Sequence, residues 1–354
     1  MRIDRQQAFS GTTPADLPLA ALENYLAGHI EGFRGPLTGE RFKGGQSNPT
    51  YKLVTPGRNY VLRRKPSGKL LPSAHAIERE YRVTAALAKA QYPVARPLHL
   101  CTDESVAGAA FYVMELMEGR VFWEPHAATL SGEDRAAVFR SLNATIARLH
   151  SLGVATLCLT DFGKPAGYVA RQIKRWSEQY QTSQTETIPE MDRLISWLTS
   201  VCPQDSGAAI VHGDFRLDNC IVHPTEPRVI AVLDWELSTI GDPLADFTYH
   251  LMQWFMPVSD QGAGVGSLAG HEHDLGVPSL PSYIADYCRR TGRAGIPGFE
   301  FYMAYNFFRL AAILQGILGR VRDGTAANPQ AAAMARQVRP LAETAWGFAA
   351  KAGA

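Results

Sequence analysis

Cysteine is scarce in this 354-residue chain and falls into no pattern. Cys101, Cys158, Cys202, Cys220 and Cys288 are odd in number, and no two of them form a C-x-x-C pair. That argues against a disulfide framework and a structural zinc site, and for a reducing compartment. Surplus charge of either sign is missing too: 35 Lys and Arg face 34 Asp and Glu, a formal net charge of +1. No bulk field draws such a chain to nucleic acid or to an anionic membrane. No apolar run approaches the length of a membrane span. The nearest, Leu310-Ala311-Ala312-Ile313-Leu314, is interrupted by Gln315 and flanked by Arg309 and Arg320. The opening residues, MRIDRQQAFSGTTPADLPL, hold no apolar run of signal-peptide length. The expectation is a cytoplasmic protein with neither a membrane nor a nucleic-acid partner. Internal repeats and low-complexity tracts are absent as well, and the sequence carries no signal of oligomeric state.

Material for a core is present: 46% of residues are hydrophobic and 19% charged, over a length that suits two lobes or two domains. The most informative stretch is residues 211–236, VHGDFRLDNCIVHPTEPRVIAVLDWE. It reads as an apolar strand end, a polar loop over 212–219, a short strand, a turn, and a second apolar strand over 229–233 that stops at Asp234. An acid and an amide at fixed spacing, then another acid at a strand end, is what phosphoryl transfer to a hydroxyl requires. One carboxylate must accept the hydroxyl proton, and an amide and a carboxylate must hold magnesium against the triphosphate.

The HGDxxxxN loop, hydrophobic strand and LDW together resemble the aminoglycoside phosphotransferase family, whose fold is similar to that of eukaryotic protein kinases. The protein-kinase pattern is H-R-D-x-x-x-x-N, then D-F-G. Here Gly213 stands in place of the Arg, and Trp235-Glu236 replace the Phe-Gly; both departures fit the small-molecule branch. The resemblance implies an α+β, protein-kinase-like bilobal fold. A small antiparallel sheet with one helix would occupy residues 1–118, and a mainly helical lobe residues 119–354. It further implies ATP and Mg2+ between the lobes, Asp214 as catalytic base, and Asn219 and Asp234 as magnesium ligands. Asp246 would brace the catalytic loop from below, with His212 as further structural support, and Asp218 reads as a loop-stabilising side chain. The bland alternative is a β-hairpin with a polar loop; against it, three functional positions match in order and context.

In the first lobe, residues 41–54 read as strand, Gly-containing turn, strand. They resemble the family's GGxSNxxY version of a phosphate-covering loop, which puts Ser47 and Asn48 over the nucleotide. The next strand carries Arg63-Arg64-Lys65. Alternation points Val61 and Arg63 one way, Leu62 and Arg64 the other, and the family's VLR pattern puts Arg63 at the phosphate. A charged edge strand would look similar. A helix over 72–90 contains Glu78 and Glu80; most helical glutamates are solvated, and the REYRV resemblance selects Glu80 as the partner of the strand cation. Residues 110–114 run into a Gly-terminated stretch resembling an inter-lobe hinge, where the backbone of Glu115 and Met117 would meet the adenine edge.

In the second lobe, helices are expected over 133–152, 168–181, 191–201, 243–255, 283–291, 298–318 and 331–350. Asp161-Phe162-Gly163 spells the kinase metal motif but precedes the catalytic loop and follows no strand, so it reads as a loop. His271-Glu272-His273-Asp274 reads as a solvated surface rather than a metal cluster. Tyr302, Tyr305, Asn306, Phe308 and Arg309 give the 298–318 helix a partly polar face, and the resemblance makes that helix a wall of the acceptor pocket. After residue 256, seven acids face nine Lys or Arg, a balance that suits an anionic or partly apolar acceptor with Arg309 at its anionic group and Tyr305 nearby. The stretches VLRRKPSGKLLPSAHAIEREYRV and VHGDFRLDNCIVHPTEPRVIAVLDWELSTIGDPLADFTYH resemble the subgroup fused to some acyl-CoA dehydrogenases. That implies a small-molecule hydroxyl acceptor such as a hydroxy acid or hydroxyacyl-CoA. An aminoglycoside acceptor, or a silent nucleotide-binding pseudokinase, are the alternatives.

Overall fold

The computed structural model describes residues 16–42, 48–66, 76–257, 267–324 and 336–354. Two compact units divide it. The first takes the chain up to Val121 together with Leu157–Leu159 and Asn219–Ser238; the second takes Phe122–Thr156, Thr160–Asp218 and Thr239–Ala354. The sequence reading drew a single boundary at 118/119. The contact division places its first crossing three residues later and returns the stretch carrying Asn219 and Asp234 to the first unit.

In the first unit, β1 (Thr38–Arg41), β2 (Thr50–Val54), β3 (Tyr60–Arg64), β4 (Pro97–Cys101) and β5 (Phe111–Glu115) form one antiparallel sheet in the order β1-β2-β3-β5-β4. Strand alternation gives this sheet two different faces. Tyr51, Leu53, Tyr60, Leu62, Phe111 and Val113 join Leu22 and Leu26 of helix α1 (Leu19–His29) in one core cluster. Each buried leucine there contributes about 2 kcal/mol. On the other face, Ala110 and Tyr112 pack on Ile77 at the start of α2 (Ile77–Lys89). Arg63 lies opposite Tyr112 in the register, so it points to the α2 side. A single turn, α3 (Glu104–Ala107), is capped by Asp103, whose side chain accepts from Ser105 N–H; too short for a periodic signal, it was not expected from the sequence. The expected start of the α2 helix at 72 and the Gly-Gly turn fall outside the described residues.

The second unit is mainly helical: α4 (Gly132–Ser151), α5 (Tyr168–Ser183) and α6 (Pro189–Ser200) precede the 212–219 loop. Ser131 caps α4 by accepting from Asp134 N–H at 3.1 Å. Strand β6 (Ala209–Val211) leads into the loop and pairs with β9 (Thr239–Gly241). Between them, β7 (Cys220–Val222) and β8 (Val229–Val232) form a hairpin that belongs to the first unit. Helix α7 (Pro243–Leu251) follows, with Asp242 as its N-cap and Pro243 in its first turn, then the turn α8 (Glu272–Leu275), α9 (Leu280–Thr291), α10 (Phe299–Arg322) and α11 (Val338–Lys351). The sequence promised no segment of membrane-spanning length, yet α10 reaches 24 residues and is apolar enough by composition. Its apolar window is 78% buried inside the fold, which makes it the central core helix of this unit. Asp161-Phe162-Gly163 is a turn whose Phe162 is buried, and a Cβ on Gly163 would collide with Thr239 and Ile240 N. That glycine serves close packing against β9.

Candidate active site

In the first unit, the residues expected around the nucleotide converge on Arg63. Its Nε lies 3.1 Å from Glu80 Oε2, its Nη2 donates to Asp234 Oδ1 at 2.9 Å, and the same Nη2 lies 3.3 Å from Glu236 Oε2. Arg64, on the opposite face, donates to Asp16 O, Ala107 O and the Asp16 carboxylate, and Lys65 pairs with Glu78 at 2.5 Å. Alternation therefore separates three adjacent cations into three environments. Glu80, 3% exposed, sits on the buried stripe of α2. Burial, together with the negative charges of Asp234 and Glu236, pushes its carboxyl up to about 7 against the opposing pull of Arg63. Burial works against the Arg63 charge, but Glu80, Tyr112, Asp234 and Glu236 hold its guanidinium above the ordinary arginine range.

The β7–β8 hairpin sets Asn219 and Asp234, the expected magnesium ligands, at one place. Cys220 pairs with Val232, and Leu233 N–H donates to Asn219 O at 2.8 Å, so the two side chains leave the same end of one ladder. Asp234 has φ 64° and ψ 61°, a left-handed conformation in a residue other than glycine. Such strain concentrates at functional sites. The turn is locked behind it by the Trp235 indole N–H donating to Val232 O at 2.9 Å and Ser238 Oγ donating to Trp235 O at 2.6 Å. Three carboxylates facing one guanidinium leave negative charge that a divalent cation would balance. Among the described residues no group of three or more His, Cys, Asp or Glu is arranged to hold a metal alone.

Of the other expected nucleotide contacts, Asn48 is buried, and Ser47 lies outside the described residues. Glu115 is engaged within its own unit. Its N–H donates to Arg96 O at 3.0 Å, and its carboxylate takes Arg96 at 2.8 Å and also pairs with Arg58. The end of β5 is thus tied to neighbouring backbone, and the Glu115 N–H is committed. Met117 follows the strand in irregular backbone.

In the second unit, Asp214 follows β6 on a loop held from two sides. Asp246 in the first turn of α7 accepts His212 N–H and Gly213 N–H, each at 2.8 Å, and also meets His150 Nε2 at 3.1 Å. Burial would raise the Asp246 carboxyl, but the His150 and His212 contacts hold it below the ordinary range. Gly213 has φ 85°, where L side chains are strained. His212 is fully buried, and its Nδ1 accepts from Asp214 N–H at 3.1 Å. Asp214 Oδ1 accepts from the Tyr249 hydroxyl at 2.7 Å and lies 3.4 Å from Arg216 Nε. Arg216 Nη2 also donates to Asp218 Oδ2 at 2.8 Å, which makes Asp218 part of the loop's own bracing.

Beside Asp214, an apolar concavity is lined by Trp123, Pro125, Leu217, Met252, Met256 and Leu310, with Arg216, Asp218, Tyr249, His250 and Gln253 as its polar edges. Arg309 and Tyr305, expected at the acceptor, do not line this concavity. Arg309 is 5% exposed; its Nη2 donates to Gly213 O at 2.7 Å and its guanidinium stacks 4.9 Å from the Tyr249 ring centroid. Tyr305 is 1% exposed in the interior. Because α10 is buried almost all round, its periodicity could not say which face meets the pocket; one residue on, about 100° around the helix, Leu310 does. Sequence reasoning missed Tyr249, Arg216, Glu236 and His150. A signal existed for one of them: Asp246, Tyr249 and His250 stand at i, i+3 and i+4 on one helix, a polar stripe on a buried element.

With this geometry in hand, comparison with known proteins is informative. A model described as the phosphotransferase enzyme family, APH, matches residues 38–305. The chain is 43% identical to mouse acyl-CoA dehydrogenase family member 10 over 342 residues, covering 95% of this chain and 32% of that protein. It is 42% identical to human acyl-CoA dehydrogenase family member 11 over 330 residues, covering 92% of this chain and 42% of that one. It therefore spans 32% to 42% of the length of these relatives. A crystal structure of a provisionally assigned aminoglycoside phosphotransferase from Ralstonia eutropha shares 49% identity with a TM-score of 0.85, covering 95% of this chain and 99% of that one. Spectinomycin phosphotransferase in complex with ADP and spectinomycin shares the fold, with a TM-score of 0.61 at 12% identity, covering 95% and 99%.

Proposed function

The chain belongs to the phosphotransferase enzyme family, and on that premise we propose that it transfers the γ-phosphoryl group of ATP to the hydroxyl of a small molecule. Asp214 accepts the hydroxyl proton as the acceptor oxygen bonds to phosphorus and the bond from phosphorus to the β-phosphate oxygen breaks, releasing ADP. Arg63, oriented by Glu80, offers its guanidinium to phosphate oxygens. Asn219 and Asp234 would hold Mg2+, which when bound neutralises charge on the phosphates. Asn48 and Ser47 serve the phosphate-covering loop. The hinge contacts to adenine fall to the Glu115 carbonyl and the Met117 backbone. The observation that carries this reading is the 2.9 Å contact of Arg63 with Asp234, which brings the strand cation and the metal acid to one place.

The acceptor follows from the concavity beside Asp214. Its walls are aromatic, thioether and aliphatic, and its acid, Asp218, already pairs with Arg216. A polycationic aminoglycoside needs several carboxylates that are not so engaged. A hydroxyl on an apolar carbon skeleton with an anionic end fits better: a hydroxy acid or its acyl-CoA thioester, with Arg216 in place of Arg309 as the cation. The acyl-CoA dehydrogenase names of the relatives agree with this choice. Incubation with Mg-ATP and each acceptor class, read by mass spectrometry, is expected to give phosphorylated hydroxyacyl product. Efficient phosphorylation of kanamycin-like compounds with none of the hydroxyacyl compounds would overturn the acceptor and leave the kinase reading intact.

A further inference from the structure

We propose that Tyr249 is the positioning residue of the catalytic base, fixing the Asp214 carboxylate for proton acceptance. The inference rests on the reading of Asp214 as base. A carboxylate at the end of an Asp side chain turns about a broad, shallow torsion, so its orientation must come from its partners. The Tyr249 hydroxyl donates to Asp214 Oδ1 at 2.7 Å, and Arg216 Nε adds a cationic contact to the same oxygen at 3.4 Å. The phenol is itself fixed. Tyr249 is 7% exposed, and its ring lies against the Arg309 guanidinium, which in turn donates to Gly213 O.

The helix that carries Tyr249 also holds the loop backbone. Asp246, three residues earlier, accepts the two N–H groups that precede Asp214, so one turn of α7 sets the loop's path and its acid's orientation together. Burial, and after it the Asp214 charge, push the ionisation of the phenol above the ordinary tyrosine range. Tyr249 therefore remains a proton donor throughout the working pH range and never competes as a base. A charge-assisted hydrogen bond of this kind orients its acceptor strongly, and small misplacements of a reacting group are costly in rate.

Tyr249→Phe isolates the hydroxyl, because the ring and its contact with Arg309 stay. The expected result is a kcat lower by about tenfold, with KM for ATP unchanged and melting temperature near that of the parent. A purely structural role would instead lower the melting temperature or raise both KM values. The decisive readout is a double-mutant cycle with Asp214→Asn. If Tyr249 acts through Asp214, adding Tyr249→Phe to Asp214→Asn costs no further turnover. Full turnover in Tyr249→Phe, or the same tenfold loss on top of Asp214→Asn, would overturn the proposal. Wild-type turnover in Asp214→Asn alone would instead remove the base assignment, so the two failures are told apart.

Discussion

Arg63 and Arg64 are adjacent in the chain and point to opposite faces of the same sheet. Removing each should therefore fail differently. Arg63→Ala takes away the guanidinium proposed for the phosphates and leaves Glu80 buried beside Asp234 and Glu236. Mg-ATP affinity is expected to fall at least tenfold in a calorimetric titration. Arg64→Ala leaves Ala107 O without its donor in a buried site and removes the part-buried contact to Asp16 O. It is expected to cost about 3 kcal/mol in denaturant unfolding while Mg-ATP affinity stays near normal. The opposite pattern would mean that the nucleotide side of β3 had been misassigned by one residue.

Helix α7 is the element on which the loop carrying Asp214 depends. Asp246 accepts two backbone N–H groups from the catalytic loop, both deeply buried. Asp246→Asn turns an all-acceptor group into one with an N–H2 among donors. The expected loss is about 3 kcal/mol of stability with a matching collapse of turnover, and unchanged unfolding would show that the loop holds itself. His250, four residues on, ties α7 to the loop and to α9. Its Nδ1 faces Phe215 O at 3.3 Å, which can only accept, so Nδ1 carries the proton and Nε2 accepts from the Tyr283 hydroxyl at 2.7 Å. The neutral ring is required, and burial pushes its ionisation down to about 4. The unfolded chain takes up the proton near 6.5, so stability is lost as pH falls from about 6.5 towards 4, by about 3 kcal/mol. Denaturation midpoints between pH 7 and 4 check this, and the decline should flatten in a His250→Gln variant. A parent midpoint flat over that range would contradict the buried neutral imidazole.

At the scale of the whole molecule, what the sequence revealed divides by chain separation. The placement of Asn219 and Asp234 at one end of a hairpin was legible because that stretch is continuous, and the separation of Arg63 from Arg64 because a period of two assigns faces. Tyr249 with Asp214, His150 with Asp246, and Arg309 with Gly213 join residues 35, 96 and 96 positions apart. No local spacing encodes such partners. The helix face that lines the concavity through Leu310 was illegible for a different reason: a helix buried nearly all round has no polar side to orient it. The central claim, phosphoryl transfer with Asp214 as base, reduces to one measurement on Asp214→Asn: turnover set against Mg-ATP binding in the same preparation. The account predicts turnover lower by roughly 10²–10⁴-fold with Mg-ATP binding unchanged, because Asp214 does not hold the triphosphate. Equal loss of both, or turnover at the parent's rate, would contradict it.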